Sequence, residues 1–112
     1  MLFVGKKKSP LAIKRGWSWQ DGRLAAMQLF DALEACGVDP HACDYANWFD
    51  MRNRGLIRNY KGPRFAMGRV VQEAMTKAGI QHIPIVHPAA RGRIRKKELY
   101  NKHIKEAVEK VV

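Results

Sequence analysis

His87 closes a short apolar run, Ile83 to Val86, and is followed by Pro88 and the turn Ala89-Ala90-Arg91-Gly92. An imidazole at a strand end with positive neighbours tends to stay neutral and to act as a directed N–H donor rather than as an acid. The competing use is a packed, satisfied histidine, and spacing alone leaves both open. Asn47 lies in a second strand-like run, Tyr45 to Phe49, near its carboxyl end, and its amide needs partners for its donors and its acceptor. Spacing alone favours a neighbouring loop backbone as that partner, with the edge of a nucleobase as the alternative. Trp17 and Trp19 lie in a Gly-flanked loop, where an aromatic face can stack on a base for about 1–3 kcal/mol. Closing the core over a short sheet is the other use of these rings, and it is the reading preferred for Trp48. Ser18 or Asp21 is placed to cap the helix that follows. His41, His82 and His103 read as structural or exposed.

The surroundings of these groups are strongly basic. The 112 residues carry a net charge of +11, and a pI of about 10.1 in a small domain points to a polyanionic partner, most often nucleic acid. Five of the seven residues from Arg91 to Lys97 are positive. The two cysteines form C-x4-H-x-C with His41, which lacks a fourth nearby ligand and fits no standard zinc spacing. No metal or cofactor is expected, and in a reducing compartment the thiols stay free. No run of 18 apolar residues is present, and the first residues lack the basic-then-apolar order of a signal peptide. A cytoplasmic, monomeric protein without a membrane partner is expected.

The elements that must position these residues follow from the apolar pattern. An apolar fraction of 46% supports a packed core, and a chain of this length buries about 65% of its unfolded surface as one domain, residues 1–112. Leu2 to Val4, Tyr45 to Phe49, Arg64 to Met67 and Ile83 to Val86 read as strands. Helices are expected over Arg23 to Cys36 and Arg69 to Ala78, stopped by Gly37 and Gly79, and from about Arg95 to the C-terminus. The stretch Lys6 to Trp19 and the polar segment Met51 to Pro63 read as loops. Strands that are apolar throughout, separated by helices, argue for an α/β fold with a four-stranded, mostly parallel sheet sandwiched between helices. Ligands in such sheets bind beyond the carboxyl ends of the strands. Lys6, Lys7 and Lys8 follow the first strand, Arg52, Arg54, Arg58 and Lys61 the second, Arg69 the third, and Arg91, Arg93, Arg95, Lys96 and Lys97 the fourth. A phosphate-facing rim at that end is therefore expected.

The ordered set of short motifs resembles the uracil-DNA glycosylase superfamily. Gly5 to Pro10 sits where that family has G-x-x-P-x after its first strand, and His87-Pro88-Ala89 where it has H-P-S. Gly16-Trp17-Ser18-Trp19 is similar to the G-R-P-F segment of the iron–sulfur members, and Leu33 to Gly37 to their L-x-x-A-G helix end. Tyr45-Ala46-Asn47 resembles their strand ending in a base-reading asparagine, and Phe65 to Arg69 their a-L-G-r segment. The likeness covers nearly the whole chain. It implies that a flipped base stacks on Trp19 above Gly5, that Asn47 pairs bidentately with its edge, and that His87 stabilises the departing base anion. It also implies that the loop Ala89 to Arg93 fills the gap left in single- or double-stranded DNA, with an arginine as the plug. The family's usual acid or amide in the first motif is replaced by Lys6-Lys7-Lys8, which leaves Asp21 as the carboxylate for positioning water. Removal of uracil or a related base is the activity implied. A catalytically inactive nucleic-acid-binding module on the same fold is the alternative.

Overall fold

A computed structural model of the chain describes residues 1–22, 25–90, 94 and 96–111. Strand β1, Leu2–Gly5, is buried along its whole length. It pairs in parallel with β2 (Asp44–Asn47) on one side and with β3 (Arg64–Met67) on the other, and β4 (Ile83–Ile85) joins β3, also in parallel. The order β2-β1-β3-β4 makes the described sheet parallel throughout. Both faces of such a sheet are covered, which is why these strands show no polar alternation. Phe3, Phe65, Met67 and Ile85 meet Leu29 and Leu33 of α2 (Ala25–Ala35) and Tyr100, Ile104 and Val108 of α5 (Lys97–Glu109). Leu2, Val4 and Ala66, the alternate residues, meet Ile57 of α3 (Arg54–Asn59) and Val71 and Met75 of α4 (Arg69–Lys77). The chain steps from β1 to β2 on one side and then returns past β1 to β3. Constant crossover handedness sends α2 and α3 to opposite faces when the direction reverses. A reversal of this kind leaves a crevice at the carboxyl ends of the strands, beside β1.

Three local features depart from the expectation. β2 stops at Asn47 because the Asp50 N–H turns back to the Asn47 carbonyl at 3.2 Å, although Trp48 and Phe49 still donate to the Gly5 and Lys6 carbonyls at 2.7 and 3.0 Å. The segment read as a loop after β2 contains α3, held to the sheet by the fully buried Ile57. Pro10–Arg15, also read as loop, is α1. Ser9 Oγ accepts the Ala12 N–H at 3.1 Å, Pro10 opens the helix, and Gly16 ends it at φ 70°, as helix-end chemistry prescribes. α1 buries no residue, so it offers no apolar stripe for periodicity to reveal. No helix among the described residues is long and apolar enough to cross a membrane.

Candidate functional site

The segments after β1, β2 and β4 enclose a pocket of about 400 Å³ with Trp17, Ser18 and Trp19 and with Ala25 and Ala26 of α2. Lys7, Lys8 and Ser9 enter from β1, Asn47 from β2, and His87 and Ala89 from β4, while Leu11 and Ala12 of α1 complete the wall. Sites for small organic groups fall in this size range, about 300–1,000 Å³.

One wall is the end of an aromatic ladder. Tyr45 and Phe65 are the register partners of Phe3 on its two sides, and their rings stack on it at centroid distances of 5.8 and 4.8 Å. Trp19 continues the stack on Tyr45 at 6.1 Å, 13° from parallel. Its Nε1–H donates to Asn47 Oδ1 at 3.0 Å. An indole N–H can only donate, so the amide oxygen must face it and the Nδ2 donors are turned away from it. The bidentate contact expected of Asn47 is thereby narrowed: the oxygen is already engaged, and the amide meets a ligand chiefly as a donor. Gly5 lies beneath this pair instead of on the pocket wall. A Cβ there would meet Asn47 Oδ1 and Trp19 Cζ2 at 2.9 Å each, so glycine is the residue that admits the indole–amide bond. Trp48, by contrast, is core at 5% exposure, with the Arg54 guanidinium 4.0 Å above its ring.

His87 Nδ1 accepts the Ala89 N–H at 3.0 Å. A backbone N–H can only donate, so Nδ1 is unprotonated and the ring proton sits on Nε2. Burial pushes the His87 pKa down from its usual value, because desolvation disfavours the cation. The result is a neutral imidazole with a fixed N–H donor. Its backbone is held from α5: the Val86 N–H donates to His103 Nε2 at 2.9 Å, and the Tyr100 hydroxyl donates to the Val86 carbonyl at 3.0 Å. Gln72 of α4 donates to the Ala66 and Ile85 carbonyls at 3.2 and 2.9 Å, tying the ends of β3 and β4. The sequence reading gave a helix from about Arg95 onward and did not single out this clamp. Its signal was two polar-tipped aromatic rings three residues apart, on one helix face.

Several expected site residues lie elsewhere. The Asp21 carboxylate accepts the Ser18 N–H at 2.7 Å and the Ser18 hydroxyl at 3.3 Å. It thus caps the one-turn helix Trp19–Asp21, and no carboxylate is found among the described lining residues. Lys97 pairs with Asp31 of α2 at 3.6 Å, away from the pocket wall, while Lys96 is exposed at the start of α5. Arg69 borders a separate hollow of about 480 Å³ with Gln72 and His103, on the other side of His87. Lys6 is exposed beside Lys7 and Lys8. Arg58 was expected at the carboxyl rim, but its guanidinium reaches the Ala78 carbonyl at 3.1 Å. α3 has carried it towards the amino end of the sheet, ahead of β4, and Lys61 precedes β3 in the chain. Arg91, Arg93 and Arg95 lie outside the described residues.

Comparison with protein families, with curated proteins and with solved structures found no match for this chain. What the structure defines is an α/β protein with a four-stranded parallel sheet and, at the sheet's carboxyl end, a mostly apolar pocket edged by Lys7 and Lys8.

Proposed function

We propose that the protein binds nucleic acid along the lysine-bearing rim and receives one unstacked base in the pocket, on the plan of the uracil-DNA glycosylase superfamily. Convergence carries the reading: Trp19, Asn47 and His87, from three separate segments, surround one pocket together with Lys7 and Lys8. An aromatic wall, two fixed N–H donors and nearby ammonium groups are what an extruded base and its phosphate require. The donors, Asn47 Nδ2 and His87 Nε2, suit carbonyl oxygens on the base edge. Hydrolysis of the base–sugar bond is the second reading, favoured by the neutral His87 donor, which suits a departing base anion. It also needs a group to orient water or to stabilise the sugar cation. Asp21 is engaged with Ser18 and no described lining residue is acidic, which favours binding over hydrolysis.

Fluorescence anisotropy with a labelled uracil-containing oligonucleotide, followed by alkali treatment of the same samples, tests both. Binding without strand cleavage is expected. Cleavage abolished by His87→Ala would establish the second reading instead, and failure to bind at low salt would sink both.

A further inference from the structure

We infer that Phe49 is a second stacking platform, which takes an unpaired base adjacent to the one in the pocket, so that the partner is a single strand. The inference rests on the nucleic-acid reading above. Phe49 stands two residues past Asn47, on the turn closed by the Asp50 N–H to the Asn47 carbonyl, and its own N–H is bonded to the Lys6 carbonyl at 3.0 Å. The backbone under the ring is therefore fixed to the β2 end and to the lysine segment at once. The residue is nevertheless 49% exposed, and Met51 beyond it 72%. A lone exposed apolar residue is ordinary; the placement of this one is what matters.

Two Cα–Cα steps separate Asn47 from Phe49, at most about 7.6 Å, a span of one or two nucleotides, since a stacked strand rises about 3.4 Å per nucleotide and an unstacked one extends further. A strand whose base enters beside Asn47 thus carries its next base, or the one after, over Phe49, with phosphates passing Lys6 to Lys8. Asp50, the acid of this turn, has its carboxylate taken up by the Arg52 guanidinium, at 3.0 and 2.9 Å. It therefore opposes a phosphate little. Base faces are hidden in a duplex and open in a single strand, where a ring can stack on them without regard to sequence. Self-association through the same patch would bring together two chains of net charge +11, which repel.

Anisotropy with one labelled single strand and with the same sequence as a blunt duplex, for the wild type, Phe49→Ala and Phe49→Tyr, tests the inference, with thermal melts and sedimentation on each variant. The single strand should bind more tightly than the duplex. Phe49→Ala should weaken single-strand binding by about five- to a hundred-fold, leave duplex binding and the melting temperature unchanged, and be rescued by Phe49→Tyr. Unchanged single-strand affinity in Phe49→Ala, an equal loss on both substrates, or a wild-type dimer that Phe49→Ala dissociates would each overturn the platform. The first two would leave the pocket reading intact. A wild type that binds neither substrate would overturn the nucleic-acid reading itself, and the platform with it.

Discussion

A methyl group at position 5 would sit 2.9 Å from both Asn47 Oδ1 and Trp19 Cζ2, and neither neighbour can step aside cheaply. The indole is stacked on Tyr45 and the amide is bonded to the indole. Gly5→Ala should therefore cost about 1–3 kcal/mol, as overpacking does, and should abolish base capture; a lowered melting temperature together with lost oligonucleotide binding checks it. Trp19→Phe separates the two roles of that ring. It keeps an aromatic wall but deletes the donor, with a loss of about 1 kcal/mol for the hydrogen bond. Asn47 is then free to turn either its oxygen or its nitrogen to a ligand. Competition binding with oligonucleotides differing only in a carbonyl or an amino group at the captured base should show discrimination falling while overall affinity changes little. At this scale Trp19, Asn47 and His87 could be picked out from residue type and strand ends. Their coupling could not, because a bond across 28 residues leaves no local pattern. Asp21 shows the converse: a carboxylate three residues from Ser18 had a local partner that satisfied it, and the local use prevailed.

The β4 end owes its position to α5. Tyr100 and His103 between them satisfy both polar groups of Val86, the residue before the candidate donor. Tyr100→Phe leaves that carbonyl without its partner in a half-buried setting, and a loss of about 1–3 kcal/mol is expected, readable by chemical denaturation. His103 must be neutral to accept the Val86 N–H, and burial lowers its pKa, outweighing Glu106, which raises it. The unfolded chain then takes up the proton first. Stability should be full above the ordinary histidine pKa of about 6.5 and should fall as the pH drops below it. His87 is shifted in the same direction by the same cause. Melting temperatures from pH 8 down to pH 5 should decline below about 6.5, and His103→Gln should flatten part of that decline. An undiminished slope in the variant would remove His103 from the account. Strands and long helices were legible here because their apolar runs are long enough to show a pattern. α1 and α3 were not: α1 buries nothing, and α3 is anchored mainly by Ile57, so neither carries a stripe. That second omission is what misplaced Arg58.

Across the whole molecule, the expectation that every strand delivers its following cations to one rim holds only in part. Lys7 and Lys8 after β1 reach the pocket, whereas α3 takes Arg58 to the Ala78 carbonyl, and Arg64 bonds the Gln81 and Tyr60 carbonyls at 2.9 and 3.0 Å. The net charge of +11 is thus divided between ends of the sheet, and the aromatic-walled pocket among the described residues lies at the carboxyl end. Long-range attraction draws on all of the charge, but counterions are released only where a phosphate is held. The two contributions separate on a plot of log affinity against log salt. Lys7→Ala and Lys8→Ala should each reduce the slope by about one and weaken binding alike for all sequences. Arg58→Ala removes the same unit of charge from the amino end and should leave the slope unchanged, lowering only the association rate at low salt. If Arg58→Ala flattens the slope as much as the lysine changes do, the strand runs over the opposite end of the sheet and the pocket is not its binding site.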